Sequence, residues 1–425
     1  MTVVWVLLLI LGMIGLGVPI AFALAAVSIL ILAFHDLNML IAAQRMYQGV
    51  QSFPLLAVPL FILAGVIMNR SGISEHLVEF ARNLVGAIKG GLSAVNIVTS
   101  MFFAGMSGTS MSDTAAVGGI MIPPMIKRGF SRAYAGAVTA SSSTIGIIIP
   151  PSVPMVVLAA FLGISTGGLF AAGLFAGLLL GFGLIFAAWL IAIYHDHPTE
   201  QPFNLRRLLW SGLKAAPALG MPVIILGGIY SGVFTATEAA SISVAYAFLV
   251  EGLVYRNLTW SRLTGIFESA AILSCVIFML IGMGSILSYF LTLFQVPGMI
   301  LQVMEYFDRN VLVFLLIVNI TFMIAGMFLD PSSAMLILVP PLFPVAAALG
   351  VDPVHFGMIV TLNIAIAMIT PPFGLDLFVA STTLNKPVIM VIAGVLPFIL
   401  VNLLVLAAVT LIPELSTFFP AFLGL

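Results

Sequence analysis

Apolar runs of bilayer-spanning length follow one another along almost the whole chain, and they leave few alternatives to a membrane fold. A helix needs about 20 apolar residues to cross the hydrocarbon. Segments 53–69, 133–161, 168–194, 214–231, 237–255, 266–291, 354–380 and 388–412 reach or approach that length. Only 7% of the 425 residues are charged, against about 25% in a soluble domain, so the polar surface is too small to face water. Fourteen basic residues nearly cancel fifteen acidic ones, which excludes the basic stripe of a nucleic-acid binder. The single cysteine, Cys275, lies inside an apolar run. It supports neither a disulfide framework nor a thiolate metal cluster and is expected to be packed in the membrane core. The chain reads as an all-α polytopic membrane protein.

Residues 3–34 are too long an apolar stretch for a signal-peptide h-region and lack a basic n-region. They read as two retained helices, broken at Gly15-Leu16-Gly17-Val18-Pro19, with the N-terminus outside. Stretches 91–126 and 311–348 differ from the other apolar runs. Each sets two short apolar pieces around a polar centre: Ser107-Gly108-Thr109-Ser110-Met111-Ser112-Asp113 in the first, Asp330-Pro331-Ser332-Ser333 in the second. Such groups are tolerated at mid-membrane where the backbone turns inside protein, so both stretches are expected to be re-entrant helical hairpins.

The charges give each hairpin a side. Arg70, Arg82, Lys89, Lys127, Arg128 and Arg132 flank the first, and the positive-inside rule makes that side cytoplasmic. The second has Arg309 alone against Glu305, Asp308 and Asp352, which makes its side external. Loops 195–213 and 256–263, with Arg206, Arg207, Arg256 and Arg262, come out cytoplasmic along the same path. Segments 71–89 and 297–309 combine helical apolar spacing with charges opposite and read as interfacial helices.

The sequence also matches itself at an offset of 221. Ala104-Gly105-Met106 meets Ala325-Gly326-Met327, Gly129 meets Gly350, and Pro150-Pro151 meets Pro371-Pro372, within 12 identities over the 56 positions 104–159. Glycines and prolines shared at fixed spacing are what a common backbone requires. With hairpins opening to opposite sides, residues 1–210 and 211–425 read as two inverted repeats. The first holds hairpin 91–126, broken helix 133–161 and following helix 168–194. The second holds hairpin 311–348, broken helix 354–380 and following helix 388–412. Inverted repeats with helices interrupted at mid-membrane mark the binding site of many secondary transporters.

Those interruptions carry the chemistry. Ser141-Ser142-Ser143-Thr144-Ile145-Gly146 precedes Pro150-Pro151-Ser152 in one half, and Asn363-Ile364-Ala365-Ile366-Ala367 precedes Thr370-Pro371-Pro372-Phe373-Gly374 in the other. Proline removes an N–H and clashes with the carbonyl one turn back, so paired prolines free oxygens that need a partner inside a membrane. With the hydroxyls and the Asn amide these are hard ligands, suited to a small cation such as Na⁺. Helices leaving the two tips start near Ser112-Asp113 and Ser333 and aim partial positive charge at the membrane centre, which favours an anion. The expectation is an organic anion as solute and Na⁺ as coupling ion. Gly108, Thr109, Ser112 and Asp113 of the first tip, with Pro150, Pro151, Thr370, Pro371 and Gly374 of the breaks, are the expected solute contacts.

Structural roles stand beside these. Ser and Thr commonly pack membrane helices. Asp113 and Asp330 read equally as helix caps or, with Asp376, as a proton route. Glu238 reads as a first-turn acid, and His195-Asp196-His197 as a solvated loop. The sequence has no Gly-x-x-x-x-Gly-Lys-Ser/Thr loop, hence no Walker ATPase of its own. No nucleophile–base pair or metal quartet can be assembled, so an enzyme is not expected. A secondary transporter subunit is the main reading. The alternatives are a self-sufficient Na⁺- or H⁺-coupled anion carrier or antiporter and, in another class, an ion channel.

Gly105-Met106-Ser107-Gly108-Thr109-Ser110 with Asp113-Thr114-Ala115-Ala116, Ile149-Pro150-Pro151-Ser152, Thr237-Glu238-Ala239-Ala240 and Thr370-Pro371-Pro372-Phe373-Gly374 resemble the large transmembrane subunit of tripartite ATP-independent periplasmic (TRAP) transporters. The resemblance covers essentially the whole chain, with Thr109 where family members often carry a second Ser. It implies Na⁺-driven symport of a carboxylate such as a C4-dicarboxylate or sialic acid across a bacterial inner membrane. It implies two partners, a small four-helix membrane subunit and a periplasmic solute-binding protein, and an elevator motion of the hairpins. By residue it implies one cation site near Ser107, Ser110, Ser143 and Gly146, and another near Asp330, Ser333, Asn363 and Ala367. External segment 35–52 and the rim near 292–310 are the candidate docking surfaces for the binding protein.

Overall fold

The computed structural model describes residues 2–69, 73–256 and 258–425; Arg70 and the start of segment 71–89 lie outside the described residues. Among these the chain is helical throughout, without a strand. Before the loop at 195–204 come α1 (Thr2–Gly15), α2 (Ile20–Phe34), α3 (Leu40–Val50), α4 (Ala57–Asn69), α5 (Ile73–Val85), α6 (Gly91–Ser107), α7 (Ser110–Lys127), α8 (Arg132–Ser143), α9 (Ile145–Ile148), α10 (Val153–Leu162) and α11 (Thr166–Tyr194). After it come α12 (Leu205–Tyr230), α13 (Ala236–Leu249), α14 (Trp260–Leu293), α15 (Val296–Glu305), α16 (Val311–Gly326), α17 (Pro331–Ala348), α18 (Pro353–Ala367), α19 (Leu375–Leu384), α20 (Val388–Leu411) and α21 (Glu414–Phe422).

Six described helices are long and apolar enough to cross a membrane, or eight if two bent pairs each count as one span. Helix α17 is among the six, although the sequence reading makes it one leg of a hairpin. Its burial separates it from the rest: 61% of its apolar window is buried inside the protein, against 28–39% for the other five. A span in contact with lipid leaves most of its surface outward, whereas a re-entrant leg is wrapped by protein.

Local chemistry sets the ends. Ser131, Ser165, Asn310 and Asp352 accept the first free N–H groups of α8, α11, α16 and α18. Thr235 and Glu238 form a reciprocal capping box at the start of α13, so Glu238 is a first-turn acid as its position indicated. The N-terminal break falls where Gly15–Pro19 placed it, between α1 and α2. Segment 71–89 contains α5, and α15, which starts at Val296, occupies segment 297–309 as far as Glu305.

Helices α6 and α7 pack on each other across a two-residue turn, Gly108-Thr109. Gly108 has φ +66°, a conformation that is inexpensive only without a Cβ. Helices α16 and α17 pair in the same way through residues 327–330. After each hairpin comes a broken helix, α8–α9 then α10 and α18 then α19, and the Pro150-Pro151 and Pro371-Pro372 bonds at the two breaks are both cis.

Two readings need correction. Cys275 is exposed on α14 rather than packed; lipid-facing and core positions are equally apolar in a membrane protein, so the surrounding run could not separate them. His197 is not simply solvated, because its ring packs on Phe130 and Tyr134 at 4.3 and 5.2 Å between centroids. Segment 35–52 contains helix α3, and the chain bends by 68° between α3 and the stretch that leads into α4. Helix α3 crosses α14 closely where Gly282 leaves room for Met46, since a Cβ there would stand 2.7 Å from Met46 Cγ.

Candidate functional site

The first hairpin tip and the first helix break meet. A Cβ on Gly108 would stand 2.8 Å from the carbonyl oxygen of Pro151, and the N–H of Val153 donates to the Gly108 carbonyl at 3.4 Å. The tip places Asp113 one turn into α7, fully buried. Ser107 donates its hydroxyl proton to Asp113 Oδ1, while Oδ2 has no hydrogen-bond partner. Oδ2 stands against Gly146, where a Cβ would collide with it, and a Cβ there would also lie 3.3 Å from the carbonyl oxygen of Thr109. Ser107, Asp113, Gly146 and the Thr109 carbonyl therefore converge on one point.

A second carboxylate faces the first. Asp376, on α19, is fully buried and interacts electrostatically with Asp113, and the hydroxyls of Ser110 and Thr114 flank it. Neither Asp376 oxygen makes a hydrogen bond of acceptable geometry, and the Ser110 hydroxyl is also unpartnered. Buried carboxylates without donors are costly, and such a pair is an arrangement that a cation or a shared proton relieves. Ser143, by contrast, donates to the Thr139 carbonyl of its own helix at 2.8 Å, and Ser112 accepts from Asn69 Nδ2 of α4 at 2.6 Å.

The second tip is built differently. Asp330 is the N-cap of α17, accepting the N–H groups of Ser332 and Ser333 at 3.1 and 3.2 Å and the Ser333 hydroxyl. Of the two readings left open by the sequence, capping is what the geometry gives Asp330, whereas Asp113 caps nothing and carries a free oxygen. Asn363 donates to Asn319 Oδ1 at 2.7 Å and to the Ile359 carbonyl at 2.8 Å, with its own Oδ1 buried and unpartnered. Ala367 packs on Gly326, where a Cβ would stand 2.5 Å from the Ala367 Cβ. The four positions thus form two pairs, Asp330 with Ser333 at the tip and Asn363 with Ala367 on the face of α18 that meets α16. Thr370 donates its hydroxyl proton to the Ile366 carbonyl at 2.8 Å and the Gly374 N–H donates to the Thr370 carbonyl at 3.1 Å, while the carbonyls one turn before the two prolines, Ala367 and Met368, accept from the N–H groups of Thr370 and Asp376 at 3.1 and 3.0 Å.

A cavity of about 250 Å³ lies between the two tips. Thr109 and Ser110 line it from one tip, Asp330 and Ser332 from the other, and Leu273, Val276, Ile277 and Leu280 of α14 from the side. Sequence reasoning placed neither that apolar wall nor Asn319, and gave Asp376 only a provisional proton role. The available signals were slight: Asp376 is the single acidic residue in 354–413, and Asn319 the only amide in α16.

Residues 5–415 match the family described as tripartite ATP-independent periplasmic transporter, DctM component. The C4-dicarboxylate TRAP transporter large permease protein DctM of Pseudomonas aeruginosa is 38% identical, over 94% of this chain and 93% of that one. The sialic acid TRAP transporter large permease protein SiaM of Vibrio cholerae is 36% identical, over 97% of each. Among solved structures, the YdaH transporter of Alcanivorax borkumensis shares the fold with a TM-score of 0.57 at 16% identity, covering 89% of this chain and 86% of that one.

Proposed function

The chain belongs to the DctM component family of tripartite ATP-independent periplasmic transporters, and on that premise we propose that it moves an organic acid inward on a Na⁺ gradient. It is the large permease subunit of a secondary transporter for carboxylates or sugar acids, and it is not an enzyme. Its working partners are a small membrane subunit and a periplasmic solute-binding protein, in the inner membrane of a bacterium.

One observation carries the cation reading: a fully buried carboxylate, Asp113, with one oxygen free, set against Gly146 and facing Asp376. Oxygen donors in a dry, preorganised pocket suit Na⁺. The Asp113–Ser107–Gly146 cluster is the first cation site, with Asp376, Ser110 and Thr114 beside it. Asn363 Oδ1, unpartnered near the second break, marks the second. The solute sits between the tips, its carboxylate near the hydroxyls of Thr109, Ser110 and Ser332. The two halves are inverted copies that carry this site across the bilayer.

Uptake by proteoliposomes tests the coupling. Purified chain with its small subunit is expected to accumulate succinate or sialic acid only when an inward Na⁺ gradient and a matching binding protein are both present. Uptake without binding protein would favour a self-sufficient carrier, and uptake driven equally by a proton gradient in Na⁺-free buffer would remove Na⁺ from the mechanism. Labelling of introduced cysteines tests the inversion separately. Residues 127–132 should react only from the cytoplasmic side and 349–353 only from outside; reaction from one common side would end the inverted-repeat reading.

A further inference from the structure

Two chain segments cross from the helices around the hairpins to those around α5 and α12, and they are tied together. Helix α11 packs mainly on α6, α20 and α21, and α12 mainly on α5 and α13, while α5 and α12 also lie against α6; the connection at 195–204 runs from α11 to α12. The α5–α6 connection at 86–90 makes the same crossing. The N–H of Glu200 donates to the Gly86 carbonyl at 3.1 Å, and Lys89 Nζ lies 2.6 Å from Asp196 Oδ1. That ammonium holds the Asp196 carboxyl below its usual range. His197 anchors the same strap against Phe130 and Tyr134.

At the centre stands Glu200, whose side chain is only 7% exposed. Its Oε2 is 3.7 Å from Arg82 Nε on α5, and its Oε1 is 3.4 Å from Arg128 Nε at the foot of the first hairpin. The two arginine side chains are 38% and 53% exposed, so it is the nearly buried Glu200 carboxylate that is left uncompensated when either guanidinium leaves. Arg128, read from sequence as an orientation-setting charge, is thereby also a tertiary contact. We propose that Glu200 is a positioning residue, which clamps the cytoplasmic foot of hairpin α6–α7 to α5 and must release Arg128 before the hairpin can move. The inference rests on the transport reading above, because a clamp matters only if the hairpin moves.

Spin labels at Leu84→Cys on α5 and Lys127→Cys on the hairpin foot read this directly, in a Cys275→Ser background because the native cysteine is exposed. The chain with its small subunit in nanodiscs is expected to give one narrow distance. Glu200→Gln and Arg128→Gln should each add a second population displaced by roughly 5 Å or more, about one helical turn, while Glu200→Asp retains the single distance. In uptake normalised to folded transporter, Glu200→Gln should change the maximal rate and leave the Na⁺ half-saturation concentration alone, and Glu200→Asp should restore the rate. An unchanged distance distribution in both Gln variants, with melting temperatures intact, overturns the clamp. The distances need neither solute nor gradient, so absent uptake by the unsubstituted transporter counts against the proposed function and not against the clamp.

Discussion

Asp113→Asn is expected to lower Na⁺-driven uptake by about two orders of magnitude while the protein folds as before. The substitution keeps the size of the side chain and an oxygen to accept the Ser107 hydroxyl, and removes only the charge. Removing one partner from a buried charge pair costs about 3 kcal/mol or more, and each ~1.4 kcal/mol is a factor of ten in affinity. The loss should therefore be read in the Na⁺ half-saturation concentration, not in the amount of protein made. Thermal stability should stay level or rise, because an unpartnered buried carboxylate oxygen is costly in the cation-free protein. An Asp113→Asn protein with unaltered Na⁺ activation in proteoliposomes would take this carboxylate out of the coupling site.

Gly108→Ala should be nearly as damaging, for a steric reason. The residue holds φ +66° at the turn of the first hairpin, and an added Cβ would stand 2.8 Å from the Pro151 carbonyl oxygen. Left-handed backbone costs a residue with a side chain roughly 1–2 kcal/mol, and a backbone oxygen cannot swing aside as a flexible side chain does. Tip and break would have to part, which separates Thr109 from Gly146. Gly129→Ala is the matched control. It has φ +91° but nothing within 4 Å of an added Cβ, so it should bear the conformational cost alone and keep near-normal uptake. A lower melting temperature and lost uptake for Gly108→Ala, beside a mild Gly129→Ala, separate collision from strain; equal effects in the two would discard the tip–break contact as functionally important.

The parts legible in sequence were those written locally. Span length, the break at Gly15–Pro19, the tips at 107–113 and 330–333 and the proline interruptions all depend on residues within a few turns of one another, and the helices begin and end close to where those signals fall. The family resemblance agreed with that reading over the whole chain and named the likeness that residues 5–415 bear out. What escaped depends on distant segments meeting. Asp113 and Asp376 belong to different halves of the chain, and Asn363 finds Asn319 on a neighbouring hairpin leg. Nothing in either local stretch announces its partner. Asp113 and Asp330 look alike in sequence, each beside hydroxyl residues at a helix start, yet only Asp330 caps. The difference lies in backbone placement: Asp330 precedes α17, whereas Asp113 is already inside the first turn of α7.

The flank that α14 presents to the cavity, Leu273, Val276, Ile277 and Leu280, contains no side-chain donor or acceptor. It cannot distinguish one face of a guest from another, nor reward a hydroxyl at a particular carbon. Under the proposed function, a carboxylate solute in this space would be held at its charged end and left loose at the other. Such a hold would be permissive and would leave fine discrimination to a step before the cargo enters.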